Sequence, residues 1–158
     1  MNIRKAAPAD LSACANVNIQ SEKRGASIRR ARKHLTLKYL RRRLADETCT
    51  FLVAEQSDRV IGYIVCKHDK WNSSIYIEEL FVRQDSQHKG VGSALLTAAE
   101  KYAQTRRARA IFLDTRKENN KALQFYKKHG FSIAGHINGL YNERHGDALV
   151  LSRRVKRK

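Results

Sequence analysis

The 158-residue sequence has few cysteines, a single proline and no long apolar run. Cys14, Cys49 and Cys66 are widely spaced and form no CxxC pair, which argues against a disulfide framework and against a zinc site. No segment approaches the roughly 18 apolar residues that a membrane span requires, and the first residues, MNIRKAAPADL, lack the apolar core of a secretion signal. We therefore expect a cytoplasmic protein without a membrane or metal partner.

Acidic residues are also scarce: 32 Lys and Arg face 15 Asp and Glu, so the formal net charge is +17. Residues 1–45 hold 12 basic and 2 acidic side chains, and the last six residues add 5 basic ones, so the middle of the chain is nearly neutral. The densest stretch, residues 23–43, predicts a surface for an anionic partner such as RNA, a ribosome or an acidic protein. The alternative is a solvated, charged helix face.

The apolar content of 42% and the length favour one folded domain covering residues 1–158. Hydrophobic periodicity predicts the element order α α β β β α β α β β. The predicted helices cover Ala6–Ile19, residues 33–46, Gly90–Gln104 and Asn119–His129, and a loop around Ser21, Gly25 and Ser27 separates the first two. The predicted strands cover Phe51–Glu55, Val60–Cys66, Ile75–Val82, Ala110–Asp114, Phe131–Ala134 and Asp147–Arg153.

The most informative stretch is QHKGVGS, residues 87–93, which lies between a predicted strand and a predicted helix. Gly90 and Gly92 allow the backbone to approach a ligand closely, and the free amides at a helix start attract an anion. The stretch therefore predicts a phosphate-binding turn. It matches neither the GxxxxGK[ST] nor the GxGxxG pattern, and on its own it is equally typical of a tight strand-to-helix turn.

QHKGVGSALL after IEELFV closely resembles the acyl-coenzyme A loop of the GNAT N-acetyltransferase family. A second segment, LDTRKENNKALQFYKKHGF, resembles the later part of that family, with Asn119 or Asn120, Ala122, Phe125-Tyr126 and Gly130-Phe131 in the matching places. The resemblance covers roughly residues 50–155. It implies an α/β (α+β) fold in which helices flank a central, mixed, mostly antiparallel sheet that splays open, and it implies acetyl-coenzyme A as cosubstrate.

The same resemblance assigns the coenzyme-binding residues. Leu80, Phe81 and Val82 are expected to offer main-chain groups to the pantetheine arm and the thioester carbonyl. Amides in the turn are expected to hold the pyrophosphate, and Asn119 corresponds to an Asn that contacts the coenzyme. The residues expected in the turn are Gln87, His88, Lys89, Gly90, Val91, Gly92 and Ser93.

Tyr126 corresponds to the tyrosine that protonates the leaving thiolate in similar proteins, and the alternative for it is a core tyrosine beside Phe125. A base must also take a proton from the acceptor amine. Glu78 and Glu79 are adjacent on one strand, so strand alternation predicts one on each face of the sheet. We slightly favour Glu78 as the base.

The alternative for these glutamates is that one faces solvent and the other pairs with Arg83 or another basic neighbour. Asp114, at the end of the next strand, is a weaker candidate for the base. Tyr141 lies in a loop that borders the acceptor pocket in similar proteins.

The predicted function is transfer of an acetyl group from acetyl-coenzyme A to a primary amine by direct attack. The basic segment disfavours polycationic acceptors and favours an acidic protein, an acidic peptide or an amino-acid-like amine. The alternative is a basic RNA- or protein-binding adaptor on a GNAT scaffold that has lost catalysis. The sequence is also compatible with a homodimer.

Overall fold

The structure is a computed structural model that describes residues 1–20, 26–141 and 146–156, with the backbone alone given for residues 19, 20 and 26–35. Seven strands and four α-helices are found in this part of the chain. The strands are β1 (Asn2–Lys5), β2 (Cys49–Gln56), β3 (Arg59–Asp69), β4 (Ser74–Val82), β5 (Ala110–Arg116), β6 (Ser132–Ile137) and β7 (Ala148–Arg154). The helices are α1 (Leu11–Gln20), α2 (Ala26–Ala45), α3 (Val91–Thr105) and α4 (Asn120–Lys128).

The strands form one sheet in the order β1-β2-β3-β4-β5-β7-β6, in which only the β4–β5 pair is parallel. The predicted order of elements is confirmed from α1 onward. The prediction missed β1, whose four residues have too short a pattern to indicate a strand and which is held by its pairing with β2. Helix α2 begins at Ala26, earlier than predicted, so Ser27 is helical, whereas the predicted loop residues Ser21 and Gly25 lie outside the described residues.

The turn between β2 and β3 shows how a short polar segment sets the register of the sheet. Ser57 and Asp58 both have positive φ angles, 49° and 57°, as the two central residues of a tight hairpin turn require. The predicted hairpin is therefore confirmed, with strands that extend beyond the predicted ends.

Strand β4 carries the irregularity that opens the sheet. Its register with β3 shifts so that Val65 faces Glu79 while Cys66 faces Ile77, which leaves Glu78 as the extra residue of a β-bulge. On its other side β4 pairs with β5 only through Ser74–Tyr76, so residues 77–82 diverge from residues 113–116. We call this opening the strand gap. It confirms the splayed, mixed, mostly antiparallel sheet.

Apolar residues pack on both faces of the sheet. One core lies under α3 and α4 and contains Ile75, Ile77, Leu95, Ile111 and Leu113 as nearly or fully buried side chains. A second core lies under α1 and α2 on the opposite face. Its buried members include Leu11, Cys14, Leu40, Tyr63 and Val65, with Phe81 packed against them. The two faces therefore differ in the helices that cover them.

Gly62 on β3 allows α3 to lie close to the sheet. A Cβ at this position would lie 2.9 Å from the carbonyl oxygen of Phe81, 3.1 Å from Val91 and 3.2 Å from Leu95. The first of these neighbours is backbone and cannot move aside without disturbing the pairing of β3 with β4.

We expect Gly62→Ala to lower the free energy of unfolding by about 1–3 kcal/mol, because the added methyl group overpacks this contact. Urea denaturation measures the change. Gly135→Ala is the matched control, because its Cβ would lie an ordinary 3.9 Å from Val150. Equal stability of the Gly62 and Gly135 variants would contradict the close approach of α3.

None of the described helices is both long enough and apolar enough to span a membrane.

Candidate active site

The strand gap exposes main-chain groups of β4. The Arg83 amide donates to the Ile61 carbonyl oxygen at 2.8 Å, so the main chain at Arg83 points toward β3. Main-chain groups alternate along a strand, so those of Val82 and Leu80 point into the strand gap. The side chain of Gln87 agrees with this, because its Nε2 donates to the Val82 carbonyl oxygen at 3.2 Å.

Phe81 differs from its two neighbours. Its main chain lies in register with Tyr63 and its carbonyl oxygen faces Gly62, so its polar groups point to β3. Its ring lies in the core under α1 and α2, with its centroid 5.7 Å from that of Tyr63. The predicted main-chain role therefore fits Leu80 and Val82 but not Phe81.

The predicted phosphate-binding turn lies at the start of α3. Gly90 precedes the helix with φ +81°, and His88 also has a positive φ of 61°. The first helical hydrogen bond runs from the Ala94 amide to the Gly90 carbonyl oxygen at 3.0 Å, so the amides before Ala94 have no acceptor within the helix. No heavy atom lies within 4 Å of a Cβ built at Gly90. The turn thus presents amides and the positive end of the helix dipole to open space, an arrangement suited to an anion.

Helix α4 packs beside this turn and fixes it. A Cβ at Gly92 would lie 3.2 Å from the Phe125 ring, so glycine allows the two helices to touch. Ser93 Oγ lies 2.9 Å from Nε2 of His129, whose Nδ1 lies 2.8 Å from the Phe125 carbonyl oxygen. The Ser93 hydroxyl therefore joins α3 to the end of α4.

Asn119 caps α4: its side-chain oxygen accepts a hydrogen bond from the Ala122 amide at 3.2 Å. This local role accounts for an Asn at this position without a ligand. The predicted contact of Asn119 with the coenzyme stays a prediction. At the other end of α4, Gly130 has φ +78°, as expected of a residue that terminates a helix.

Tyr126 lies on α4, in the core under α3 and α4, and is only 7% exposed. Its ring packs edge-on against Phe125 at 5.1 Å and Phe131 at 5.5 Å. Burial, with smaller contributions from Cys66 and Asp114, raises the pKa of Tyr126 above its ordinary value, so the phenol keeps its proton at neutral pH. Both the predicted acid and the core alternative are compatible with this position.

The bulge places Glu78 and Glu79 on the same face of the sheet, the one covered by α1 and α2. Glu78 contacts Tyr39 of α2, and Glu79 contacts Tyr63, which lies in the core of that face. The prediction of one glutamate on each face is wrong, because the extra residue of the bulge shifts the alternation by one.

Glu78 is engaged by α2. Its Oε2 lies 2.7 Å from Nε of Arg43 in an ion pair and accepts a hydrogen bond from the Tyr39 hydroxyl at 3.0 Å. The Arg43 guanidinium also lies over the Tyr39 ring, 5.0 Å from its centroid. This is the ion pair that the sequence left open as the alternative, with Arg43 rather than Arg83 as the partner, since Arg83 pairs with Asp85.

Glu79 belongs to a hydrogen-bond chain that runs across three elements. The Tyr63 hydroxyl donates to Oε2 of Glu79 at 2.6 Å and accepts from Nδ2 of Asn18 at 3.0 Å. Tyr63 is fully buried, so the chain fixes the direction of the carboxylate. Sequence reasoning missed Tyr63, Asn18, Tyr39 and Arg43, because apolar or helical patterns alone gave no reason to pair them with β4.

Asp114 lies on β5 beside the strand gap, two residues before the end of the strand rather than at the predicted end, and it accepts hydrogen bonds from two tyrosines. The hydroxyl of Tyr76 donates to one of its oxygens and that of Tyr141 donates to the other. The Arg116 guanidinium lies 5.4 Å from the centroid of the Tyr141 ring. Tyr141 therefore contacts β5 beside the strand gap, and its place at the acceptor pocket stays a prediction, while Asp114 already has a donor at each oxygen.

The three cysteines are free thiols. Burial raises the pKa of Cys14 to about 12 and that of Cys49 to about 11, and it also raises that of Cys66 above its ordinary value. All three are therefore protonated at neutral pH, and a thiol is a poor nucleophile in that state. This chemistry does not favour an acetyl-cysteine intermediate.

Only part of the basic segment 23–43 can be located, because the side chains of residues 23–35 lie outside the described residues. Within the described part, Lys38, Arg41 and Arg42 are exposed on α2, whereas Arg43 is occupied by Glu78. Among the side chains that the structure does describe, no group of three His, Cys, Asp or Glu residues is placed to bind a metal ion.

Comparison with known proteins gives the class of this site. The model of the acetyltransferase (GNAT) family matches residues 17–131. The N-acetyltransferase YhfO of Bacillus subtilis, whose function is uncharacterised, is 30% identical over 138 residues, which cover 83% of this chain and 89% of that protein. The matches to two other curated relatives span 38% and 49% of those proteins, so the chain covers less than half of their length.

Two solved structures share the fold over much of the chain. Ard1 from Thermoplasma volcanium has a TM-score of 0.79 at 26% identity. The match covers 98% of this chain and 97% of Ard1. A Bacillus anthracis structure, described as a streptothricin acetyltransferase in complex with acetyl-coenzyme A, has a TM-score of 0.64 at 28% identity, with 69% of this chain and 64% of that chain covered.

An open sheet beside a helix start rich in free amides is thus the architecture of an acyl-coenzyme A transferase. The chain belongs to the GNAT acetyltransferase family, whose members are acyltransferases and whose cosubstrate is acetyl-coenzyme A.

Proposed function

We propose that this protein is an N-acetyltransferase that moves the acetyl group of acetyl-coenzyme A to a primary amine by direct attack, in a single folded domain. The observation that carries the proposal is the strand gap, which opens beside a turn of unpaired amides at the start of α3. The pyrophosphate would bind the amides of residues 88–93, and the pantetheine arm would pair with the main chain of Leu80 and Val82 in the strand gap.

The acid and the base lie on opposite faces of the sheet. Glu79, oriented by Tyr63, takes a proton from the acceptor ammonium and leaves a neutral amine. The amine nitrogen then forms a bond with the thioester carbon, and a main-chain amide in the strand gap stabilises the negative oxygen. As the carbon–sulfur bond breaks, Tyr126 gives its proton to the leaving thiolate and regains one from solvent. The nitrogen of the new amide gives up its extra proton to solvent, and Glu79 releases to solvent the proton it took, so both groups return to their starting states.

The base in this mechanism is Glu79 rather than Glu78, which we favoured from the sequence. Glu78 is tied to Arg43 and Tyr39, and protonating it would break an ion pair at the bulge. Both oxygens of Asp114 already accept hydrogen bonds from phenol hydroxyls, which supports a role in shaping the acceptor side with Tyr141.

The acceptor amine would enter on the face that carries Glu79 and Asp114, where acidic groups attract an ammonium. Farther out, the exposed Lys38, Arg41 and Arg42 favour an acceptor that also bears carboxylates, such as an amino-acid-like amine or an acidic peptide. A cytoplasmic location remains a prediction that the three free cysteines support.

The proposal is tested by measuring release of the coenzyme thiol from acetyl-coenzyme A with a panel of amines. The panel contains amino acids, peptides with free amino termini and acidic side chains, polyamines, and streptothricin because a similar structure is described by that activity. We expect release with the carboxylate-bearing amines, together with a rise in melting temperature when coenzyme A is added. Stabilisation by RNA without any stabilisation by coenzyme A would instead identify a basic adaptor without catalysis.

A further inference from the structure

The end of the sheet farthest from the strand gap carries a second surface with its own chemistry. Three segments meet there: the β3–β4 turn at residues 70–73, the segment 106–109 between α3 and β5, and the residues that follow β7. The Arg109 amide donates to the Ser73 carbonyl oxygen at 2.8 Å, and the Val155 amide donates to the Arg109 carbonyl oxygen at 3.0 Å. The three segments are therefore held against one another by the backbone.

The β3–β4 turn at this end carries Trp71, whose side chain is 92% exposed. It is the only tryptophan of the chain, and its amide donates to Oδ1 of Asp69 at 3.0 Å, which fixes the turn that displays it. A tryptophan ring that is almost fully exposed contributes little to the stability of the fold. Its ring faces are free to stack with a flat partner.

The three segments and the end of β7 also carry exposed cations, which are Lys70, Arg106, Arg107, Arg109, Arg154 and Lys156. No ion pair is found for any of these six among the parts of the chain that the structure describes. Burial lowers the pKa of His68, and the positive charges of Arg106 and Lys70 add to this effect. We call this set of residues the Trp71 surface.

We propose that the Trp71 surface binds single-stranded nucleic acid, with the cations contacting the phosphates and the Trp71 indole stacking on a base. Both elements of such binding are present: a positive surface that attracts the backbone and an aromatic face that accepts any base. The Trp71 surface lies at the opposite end of α3 from the phosphate-binding turn, about 22 Å away for 15 helical residues. Binding there would leave the acetyl-coenzyme A site open.

Two other anionic partners fit the Trp71 surface less well. A lipid surface requires several apolar side chains that insert together. Among the side chains that the structure describes, the other exposed large apolar residues (Met1, Ile133, Ile137 and Leu140) belong to β6, to the segment after it and to the amino terminus. An acidic peptide would use the cations, but its carboxylate side chains carry no aromatic ring to stack on the indole.

The test is a titration with 12-nucleotide single-stranded oligouridine and oligothymidine, followed by the fluorescence of the only tryptophan and by anisotropy of the labelled oligonucleotide. We expect quenching of Trp71 by either strand, and affinity that falls steeply with added salt. Trp71→Ala is expected to weaken binding by about 5- to 150-fold in the anisotropy assay, the range for loss of one stacked base.

A matched pair of variants separates this surface from the general positive charge of the protein. Lys70→Gln with Arg109→Gln removes two charges from the Trp71 surface, and Arg41→Gln with Arg42→Gln removes two from α2. We expect at least a tenfold loss of affinity for the first pair and less than a threefold loss for the second. Equal losses, or binding without quenching, would overturn the proposal, as would equally tight binding of polyglutamate or of anionic lipid vesicles.

Discussion

Replacing Glu79 by glutamine is expected to lower kcat/KM for the acceptor amine by about 100-fold or more near pH 7. The variant cannot take the ammonium proton, so only the small free-amine fraction of the acceptor reacts. For a lysine-like amine with a pKa near 10.4, that fraction is about 1 in 1,000 at pH 7.4. The rate of Glu79→Gln should therefore rise with pH and approach that of the natural protein near pH 10, while KM for acetyl-coenzyme A changes little.

Glu78→Gln is the control for this prediction, because the two glutamates are adjacent and lie on the same face of the sheet. Glu78→Gln removes the charge that pairs with Arg43, so we expect reduced stability and a loss of kcat/KM of no more than about fivefold. The reverse ranking of the two variants would assign the base to Glu78. Among the described side chains, Tyr63 of β3 donates to Glu79, and Cys14 of α1 and Tyr39 of α2 interact with its charge, so the titration of these groups also contributes to the pH profile.

The sequence was sufficient for those parts of the fold that depend on local patterns. The hairpin turn at Ser57 and Asp58, the amphipathic α3 and the glycine that ends α4 each have a signal within a few residues. Strand β1 has none, because Asn2–Lys5 becomes a strand only by pairing with residues about fifty positions away.

The site was predictable where backbone chemistry defines it, and less so where side chains from separate elements meet. The glycine-containing turn and the strand before it could be placed from their order alone. The roles of Glu78 and Glu79 could not, because a bulge is a property of the pairing between β3 and β4 and leaves no mark in the β4 sequence. The chain from Asn18 through Tyr63 to Glu79 spans α1, β3 and β4, so only the folded structure brings it together.

Replacing Tyr126 by phenylalanine is expected to lower kcat by about 10- to 100-fold, since the departing thiolate loses its proton donor. The pKa of Tyr126 is raised by burial, so the natural protein keeps this proton over the whole neutral range. The Tyr126→Phe variant should therefore show the same fractional loss of rate from pH 6 to pH 9. The ring still packs between Phe125 and Phe131, so the melting temperature should change by little.

Tyr102→Phe provides the matched control, because Tyr102 packs against the same core but its buried hydroxyl has no hydrogen-bond partner in the described structure. Removing that hydroxyl should leave kcat unchanged. The stability should be equal or slightly higher, because the variant no longer buries a polar group that lacks a hydrogen-bond partner. A full rate for Tyr126→Phe would contradict its role as the acid and leave it as a core residue. A loss of kcat in both variants would point to packing under α3 and α4 rather than to proton transfer.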